Sequence, residues 1–293
     1  MKTETYEVQI GKLLEQLTLE EKIGMIHGAG LFRTEGVERL SIPPLFFSDG
    51  PMGVRAEFVD NEWRNTGTTD DFVSYLPCNS AVASTWNREL AGEEGRVLGE
   101  EARGRGKDMI LAPGINIKRS PFCGRNFEYY SEDPLLAGKM GAAMVRGIQS
   151  QHIAAAVKHF ACNNKETNRK HSDSRVSERA LREIYLKAFE IIVKEADPWV
   201  IMSAYNMING HRASENHDLL EGILRDEWHF HGMVTSDWWT RGEHYKEIKA
   251  GNDVKMACGF PERVKKAMEL GALDRSDLER CAKRVLDLIL KID

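Results

Sequence analysis

The chain alternates short apolar runs with longer amphipathic segments, and this alternation predicts its architecture. In each long segment apolar residues recur every three or four positions, as on the buried side of a helix, whereas each short run is continuous like a buried strand. The pattern predicts helices over residues 11–26, 80–104, 134–150, 177–195, 216–229 and 275–291, and strands over residues 45–47, 109–112, 153–157, 199–202 and 232–234.

Strands that alternate with helices of this length form a parallel sheet, either a closed barrel or a doubly wound sheet. No P-loop and no dinucleotide-binding loop is present, since Gly104-Arg105-Gly106 lacks the third glycine of such a loop. A (β/α)8 barrel takes about 250 residues, which suits a chain of 293. We therefore predict an α/β fold in which residues 1–293 form a single TIM-like barrel domain.

Polar side chains follow four of the predicted strands at the point where each strand ends. They are Asp49, the pair Lys158 and His159, Tyr205, and Asp237. In a barrel of parallel strands the carboxyl ends form one rim, where active sites lie. A lone Asp or His in such a place is more often a strand terminator or a helix cap, but only the two aspartates are good capping residues. The recurrence therefore favours one shared polar mouth.

The residue types at this mouth suit a neutral polyol. Carboxylates accept hydrogen bonds from hydroxyl groups, Lys and His donate to hydroxyl oxygens, and aromatic faces cover the C–H surface of a sugar ring. Trp238 and Trp239 follow Asp237 directly, and we expect one of the two indoles to be packed in the core. No His-x-x-x-His or Glu-x-x-His pattern occurs at these positions, so we predict neither a metal nor another cofactor.

Composition narrows the range of partners. A hydrophobic content of 42% and a charged content of 29% indicate a globular, enzyme-sized protein. The net charge of −5 gives no electrostatic reason to bind nucleic acid or an anionic membrane. The N-terminus does not fit a secretory signal, and no apolar run is long enough to span a bilayer. Five scattered cysteines favour reduced, buried thiols, and hence a cytoplasmic location.

Six segments resemble the barrel domain of family 3 glycoside hydrolases of the β-glucosidase type. They are specific, occur in the family's order and extend over nearly the whole chain. The resemblance implies a TIM-like barrel, often with an irregular first strand. The segments are FSDGPMGVR (47–55), LAPGINIKRSPFCGRNFEYYSEDP (111–134), KHFACNNKETNR (158–169), SERALREIYLKAF (177–189), MSAYNMING (202–210) and TSDWW (235–239).

The resemblance also implies a role for each candidate site residue. Asp237, in the S-D-W segment, would be the nucleophile that forms a covalent glycosyl-enzyme with a β-linked glucoside. Because it must be ionised to attack, we expect its cationic neighbours to outweigh the cost of burying its charge. Trp238 would be a platform on the leaving-group side. The residues implied to hold the sugar in the −1 subsite are Asp49, Arg125, Lys158, His159, Arg169 and Tyr205.

The general acid/base is where this chain departs from the family pattern. Members usually carry a Glu for this role on a following α/β sandwich domain, which we do not expect within residues 1–293. A smaller branch uses an Asp-His pair in a K-H-F-P-G-H-G segment, but residues 158–164 read KHFACNN. Retaining hydrolysis needs a second carboxyl group about 5 to 5.5 Å from the nucleophile. We predict that another chain or a missing domain supplies it, with Glu128, Glu132 and Glu166 as candidates within the chain.

These observations predict a retaining, exo-acting β-glycosidase barrel whose active site is completed by a partner chain or a homo-oligomer. One alternative is a sugar-binding barrel with little or no hydrolytic activity by itself, which the lack of an evident acid supports. Another is a phosphate-binding, aldolase-type lyase barrel with Lys158 as the Schiff-base lysine. That alternative is disfavoured because Gly251-Asn252-Asp253 is a poor phosphate loop.

Overall fold

The computed structural model describes residues 2–59, 61–67 and 72–292. Its α-helices are α1 (Lys2–Gln16), α2 (Leu19–Met25), α3 (Asn79–Ser84), α4 (Arg88–Gly104), α5 (Pro134–Gln149), α6 (Glu178–Ala180), α7 (Lys187–Ala196), α8 (His244–Ala250), α9 (Pro261–Glu269) and α10 (Arg275–Ile292). π-Helical segments span Leu181–Tyr185 and Asp218–Glu227, and short 3-10 turns span Glu38–Leu40, Asn126–Glu128 and Ala213–Glu215. The strands are β1 (Phe47–Ser48), β2 (Met109–Ile110), β3 (Ala154–Phe160), β4 (Asp173–Ser174), β5 (Val200–Ser203), β6 (Met207–Ile208), β7 (His211–Arg212) and β8 (Met233–Ser236).

The predicted helix over residues 11–26 is two helices in the structure. The break falls at Thr18, whose side chain accepts a hydrogen bond from the backbone N–H of Glu21 while the Glu21 carboxylate accepts one from Thr18. This reciprocal capping box satisfies two backbone donors at the start of α2. Helical spacing continues across such a break, so periodicity alone did not reveal it.

Eight extended segments of the described chain close into a ring. Five of them, β1, β2, β3, β5 and β8, pair side by side and in parallel. Single bridges complete the ring: Thr235–Val254 and His27–Lys255, both parallel, then Gly28–Thr34 and Arg33–Phe46, both antiparallel. The TIM-like α/β barrel is thus confirmed. Its irregular first strand is the hairpin of residues 27–34, which contributes one parallel and one antiparallel segment.

Alternate residues of a strand point to opposite sides of a sheet, and here they fill two separate hydrophobic clusters. In β3, Ala154 and Ala156 join one cluster, whereas Ala155 and Val157 join the other. The first cluster contains Met202, which also lines the cavity described below, and it extends from the barrel interior to α1, α2, α9 and α10. The second packs beneath α4, α5 and α7. Burial on both faces explains why the strands read as continuous apolar runs.

Glu94 on α4 makes the stability of this helical layer depend on pH. The side chain is buried and neither carboxylate oxygen has a hydrogen-bond partner among the described residues. Burial raises the pKa of Glu94 from its ordinary 4.5 to about 7. The pKa of Glu94 is thus higher in the folded chain than in the unfolded chain. Its contribution to the free energy of unfolding is fully present below pH 4.5, where the carboxyl group is protonated, and is lost as the pH rises through 7.

We expect Glu94→Gln to remove this pH dependence. Between pH 5 and pH 8 the wild type should lose about 2 kcal/mol of unfolding free energy relative to the variant, allowing for partial solvent screening of the carboxylate. Urea denaturation at both pH values measures the difference. Glu89→Gln, at an exposed position of the same helix, is the control and should follow the wild type. A Glu94→Gln variant whose offset from the wild type is the same at both pH values would contradict the assignment.

All five cysteines are free thiols, but only Cys162 and Cys281 are buried. The expectation of buried thiols is therefore wrong for Cys78, Cys123 and Cys258, which are half-buried. In the described part of the chain, no helix combines the length and the apolar composition that crossing a membrane requires.

Candidate active site

A cavity of about 640 Å³ opens where the barrel strands end. Side chains that follow β1, β2, β5 and β8 line it, so it lies at the carboxyl rim, as predicted. Residues separated by up to 207 positions in sequence, from Phe32 to Trp239, meet here because the ring of strands brings their ends together. Every site residue selected from the sequence lines this one cavity: Asp49, Arg125, Lys158, His159, Arg169, Tyr205, Asp237 and Trp238.

Asp237 follows β8 directly and has one fixed and one unpaired oxygen. Its backbone N–H donates to the carbonyl of Ser203 on β5 at 3.1 Å, which anchors it to the neighbouring strand. Oδ1 accepts a hydrogen bond from the backbone N–H of Trp238 at 2.7 Å. Oδ2 has no hydrogen-bond partner among the described residues, although Asp237 is only 8% exposed. A held carboxylate with one uncommitted oxygen is what nucleophilic attack requires.

Burial dominates the electrostatics of Asp237. It raises the pKa of this carboxyl above the ordinary value of 3.8, and the opposing charges and N–H dipole lower it by less. The expectation that cationic neighbours would outweigh burial is therefore wrong. Because the charge of this carboxylate is poorly stabilised, little electrostatic stabilisation is given up when the carboxylate becomes a neutral ester. The groups that lower this pKa are Arg125, the N–H of Trp238, Arg169 and Lys158.

Lys158 and His159 lie within β3, not beyond its end as predicted. The strand runs on to Phe160, and its register against β5 shifts between Val157 and Phe160. Both polar residues are buried, and their side chains line the cavity. The apolar run stops at Val157 because the next two residues, Lys158 and His159, face polar partners at the rim. The strand itself continues as far as Phe160.

His159 is held as a neutral imidazole. Burial, and after it the charge of Arg125, lower its pKa well below the ordinary 6.5. Nη2 of Arg125 donates to Nε2 of His159 at 2.8 Å. The ring proton therefore lies on Nδ1, which is 3.3 Å from Oδ1 of Asn116. Nε2 also lies 3.8 Å from Oδ2 of Asp237, but because the ring is neutral this contact is not an ion pair.

Lys158 joins two carboxylates in the cavity wall. Its Nζ lies 3.2 Å from Oδ1 of Asp49 and 3.6 Å from Oε2 of Glu128. The other oxygen of Glu128 accepts a hydrogen bond from Nε of Arg125. Burial tends to raise the pKa of Asp49, but Lys158 and then Arg55 outweigh it, so this pKa is lowered. Asp49 is thus an ionised acceptor, and Glu128 positions two cations.

The three glutamates considered as acids within the chain do not present an unengaged carboxyl group to the cavity. Both oxygens of Glu128 contact cations. Glu166 is engaged by Arg169 at 2.9 Å and by the side-chain amide of Asn163 at 3.1 Å, and it does not line the cavity. Glu132 is exposed and also lies outside the cavity.

Trp238 is the packed indole, and Trp239 is the exposed one. Trp238 is 6% exposed and its Nε1–H donates to the carbonyl of Leu31 at 2.6 Å, while Trp239 is 37% exposed at the rim. Tyr205 Oη donates to the carbonyl of Trp238 at 2.6 Å, and the Arg169 guanidinium stacks over the tyrosine ring at 4.7 Å. The expectation that one indole is core is confirmed.

The sequence analysis missed an arginine enclosed by aromatic rings next to Asp49. Arg55 lies 3.6 Å from Oδ2 of Asp49 and sits over the rings of Phe58 and Trp63, at 4.3 and 4.7 Å from their centroids. Trp63 in turn contacts Trp239, with ring centroids 5.8 Å apart. The position of Arg55 at the end of the FSDGPMGVR segment was the available signal.

The fold and this cavity define a class of protein: an α/β barrel that carries carboxylates, cations and indoles at its carboxyl rim, as barrel glycosidases do. Residues 58–288 match the glycosyl hydrolase family 3 N-terminal domain. The chain therefore belongs to glycosyl hydrolase family 3.

Its relatives include enzymes named for two different sugars. The chain is 52% identical to β-glucosidase A of Butyrivibrio fibrisolvens over 279 residues, covering 93% of this chain and 32% of that protein. It is 41% identical to an exo-α-(1→6)-L-arabinopyranosidase of Bifidobacterium longum over 283 residues, covering 95% of this chain and 37% of that protein.

A solved structure gives the same result at the level of the fold. β-Glucosidase 3B from Thermotoga neapolitana, in complex with α-D-glucose, superposes with a TM-score of 0.90 at 41% identity. The match covers 97% of this chain and 42% of that one. The chain thus spans between about a third and two fifths of the length of the relatives it matches.

Proposed function

We propose that this barrel is the sugar-binding, nucleophile-bearing part of a retaining, exo-acting β-glycosidase of the β-glucosidase type. The observation that carries the proposal is the buried carboxylate of Asp237, fixed through Oδ1 and unpaired at Oδ2, in one cavity with Asp49 and Lys158. The family membership and the β-glucosidase names of several relatives support it.

The polar groups of the cavity suit the hydroxyl groups of a terminal sugar. Asp49, ionised and anchored by Lys158, accepts hydrogen bonds from hydroxyl groups, and Lys158 has further N–H groups to donate. Arg125 and Arg169 supply donors with fixed planar geometry. Neutral His159, which orients Arg125 through Nε2, presents no competing charge.

Catalysis then proceeds through a covalent intermediate. Oδ2 of Asp237 forms a bond to the anomeric carbon as the bond to the leaving-group oxygen breaks, and that oxygen takes a proton from a general acid. Water, deprotonated by the same group, later hydrolyses the glycosyl ester. The Tyr205 hydroxyl donates to the carbonyl of Trp238 and so holds the Trp238–Trp239 peptide, which directly follows the peptide whose N–H binds Oδ1.

We propose that the general acid comes from outside the residues of this barrel, from a partner chain, a homo-oligomer or a further domain. The engagement of Glu128 by two cations and the position of Glu132 and Glu166 outside the cavity support this. The same observation favours the second candidate function, a sugar-binding barrel that turns over little by itself.

Trapping with 2,4-dinitrophenyl 2-deoxy-2-fluoro-β-glucoside separates the two functions, because its leaving group needs no acid and its intermediate hydrolyses slowly. We expect one fluoroglucosyl adduct on Asp237, located by peptide mass spectrometry. Because Asp237 attacks only when ionised, the labelling rate should rise with pH, with a midpoint above 3.8. It should then stay level up to alkaline pH, since no acid needs to be protonated.

Failure to label at any pH would leave only the sugar-binding function. Labelling at another residue would remove Asp237 as the nucleophile. A rate that falls again on the alkaline side would show that another group of this barrel must be protonated for binding or for attack. Glu132→Gln, which changes an exposed carboxylate outside the cavity, is the matched control and should be labelled like the wild type.

A further inference from the structure

Cationic side chains outnumber carboxylates in the wall of the cavity. A neutral sugar adds no charge, and Asp237 loses its own charge when it becomes a glycosyl ester. The surplus of two cations therefore grows to three in the covalent intermediate, in a chain whose net charge is −5. The cationic lining residues are Arg55, Arg125, Lys158, Arg169 and Lys170, and the lining carboxylates are those of Asp49, Glu128 and Asp237.

Lys170 is the cation that has no carboxylate partner. Each of the other four has a carboxylate oxygen within 4 Å, such as Arg169 with Glu166 at 2.9 Å. Among the described residues, no carboxylate oxygen lies within that distance of Lys170 Nζ. The ammonium instead lies over the ring of Tyr205, 5.0 Å from its centroid, which is a cation–π contact.

Lys170 stands where the cavity widens towards solvent. At the closed end, the side chains of Lys158 and Glu128 are 4% exposed, whereas Lys170 is half-exposed and Trp239 is 37% exposed. In an exo-acting enzyme the terminal sugar fills the closed end, so the leaving group occupies the opening. The backbone carbonyl of Lys170 accepts a hydrogen bond from Arg212 at 3.3 Å, which holds this segment in place.

The charge on Lys170 is incompletely compensated. Burial, and after it the charge of Arg169, lower its pKa by more than the charge of Asp237 raises it. An anion placed beside the ammonium would relieve both effects. That anion is not the incoming general acid, because a cation next to the acid would hold its pKa low and favour the deprotonated form, whereas the first step needs the acid protonated. A candidate that enters the opening in every catalytic cycle is a group on the leaving portion of the substrate.

We propose that Lys170 selects glycosides whose leaving group carries a carboxylate. The inference rests on the proposed function and adds the substrate class: a terminal sugar linked to an acidic aglycone. The Lys170 ammonium donates a charge-assisted hydrogen bond to the carboxylate at the mouth, while the exposed face of Trp239 covers the apolar part of the same group.

The test compares 4-nitrophenyl β-glucoside with 3-carboxy-4-nitrophenyl β-glucoside, neither of which depends strongly on a general acid. The measured quantity is the ratio of kcat/KM for the carboxylated over the neutral substrate. Relative to the wild type, Lys170→Met should lower this ratio about 5- to 10-fold, the range of one partly solvated charge-assisted hydrogen bond. Lys170→Arg should keep most of it. Lys165→Met, which removes an exposed lysine of the same loop outside the cavity, should leave the ratio unchanged.

Ionic strength gives an independent measurement. Raising sodium chloride from 0.05 to 0.5 M should shrink the ratio in the wild type, because the Debye length falls from about 14 to about 4 Å, and should hardly change it in Lys170→Met. A ratio that is the same in the wild type and in Lys170→Met overturns the inference, while continued cleavage of the neutral substrate leaves the proposed function intact.

Two further outcomes also overturn the inference, and they differ in what else they remove. If neither glucoside is cleaved and the fluoroglucoside does not label Asp237, the proposed function fails and the inference falls with it. If Lys170→Met leaves the ratio unchanged but weakens association with the chain that supplies the acid, as measured by native mass, then Lys170 pairs with that partner and not with the substrate.

Discussion

Replacing Asp237 with asparagine will lower kcat/KM for an activated aryl β-glucoside by about 10,000-fold or more, as expected when a covalent nucleophile is removed. Asparagine has the same shape, and its carbonyl oxygen still accepts from the Trp238 N–H, which is 2.7 Å from Oδ1 in the wild type. It forms no glycosyl ester. Initial rates of phenol release measure the loss.

The loss will not come from unfolding. Because burial raises the pKa of Asp237, the folded state disfavours its ionised form, and stability is lost as the pH rises through that pKa. Asp237→Asn should therefore be at least as stable as the wild type at pH 7, with a gain of up to about 1 kcal/mol, in line with the stability that active sites commonly forgo. Urea denaturation provides the check.

Chemical rescue tests from which face of the sugar the nucleophile attacks. In Asp237→Gly, azide should enter the space of the missing carboxylate and restore part of the rate, yielding α-glucosyl azide because it attacks from the same face as Oδ2. Glu132→Gln, outside the cavity, should behave as the wild type. A less than 10-fold loss in Asp237→Asn, or a β-configured azide product, would show that another group is the nucleophile.

The second large effect concerns the leaving group. The barrel by itself should cleave 2,4-dinitrophenyl β-glucoside readily and a methyl β-glucoside barely, since a positioned acid contributes about 100- to 10,000-fold only where the leaving oxygen needs a proton. A series of aryl glucosides should give a steep dependence of log kcat/KM on the pKa of the departing phenol. Adding the partner that carries the acid should flatten this dependence.

Equal and substantial rates on both glucosides would contradict the proposal and place the acid within this barrel. Glu128→Gln tests that outcome directly. If Glu128 were the acid, the variant would lose activity on the alkyl glucoside and keep it on the dinitrophenyl glucoside. Because Glu128 instead holds Arg125 and Lys158, we expect it to lose activity on both.

The positions of Asp49 and Asp237 were predictable from the sequence alone. Each follows a short apolar run, and the abrupt change to a carboxylate marks the strand end. The run before Asp237 is buried on both faces, whereas Phe46 in the run before Asp49 is exposed. Lys158 and His159 gave the same signal, but β3 continues through them to Phe160. A sequence shows where apolar character stops, but it does not show that buried polar side chains have partners that let the strand go on.

The loop residues were not predictable in this way. Arg55 and Trp63 meet through a loop, and Lys170 stands out only because its ammonium lies over the ring of Tyr205 with no carboxylate oxygen of the described residues within 4 Å. None of these contacts joins residues at a regular spacing in the sequence, so hydrophobic periodicity does not reveal them. The sign of the pKa shift at Asp237 was also beyond the sequence, because it is a small difference between burial and attraction. The sequence names the charges and leaves the depth of burial unknown.

The hairpin of residues 27–34, which closes the ring, has a consequence for the nucleophile more than 200 positions away. Its Leu31 carbonyl is the acceptor for the Trp238 indole N–H, so the turn positions the aromatic neighbour of Asp237. Lengthening that turn by one residue would let the indole swing and reshape the exit side, while the groups around the terminal ring stay as they are. Variation near the amino terminus is thus a route by which such a barrel acquires new aglycones and keeps its preferred sugar.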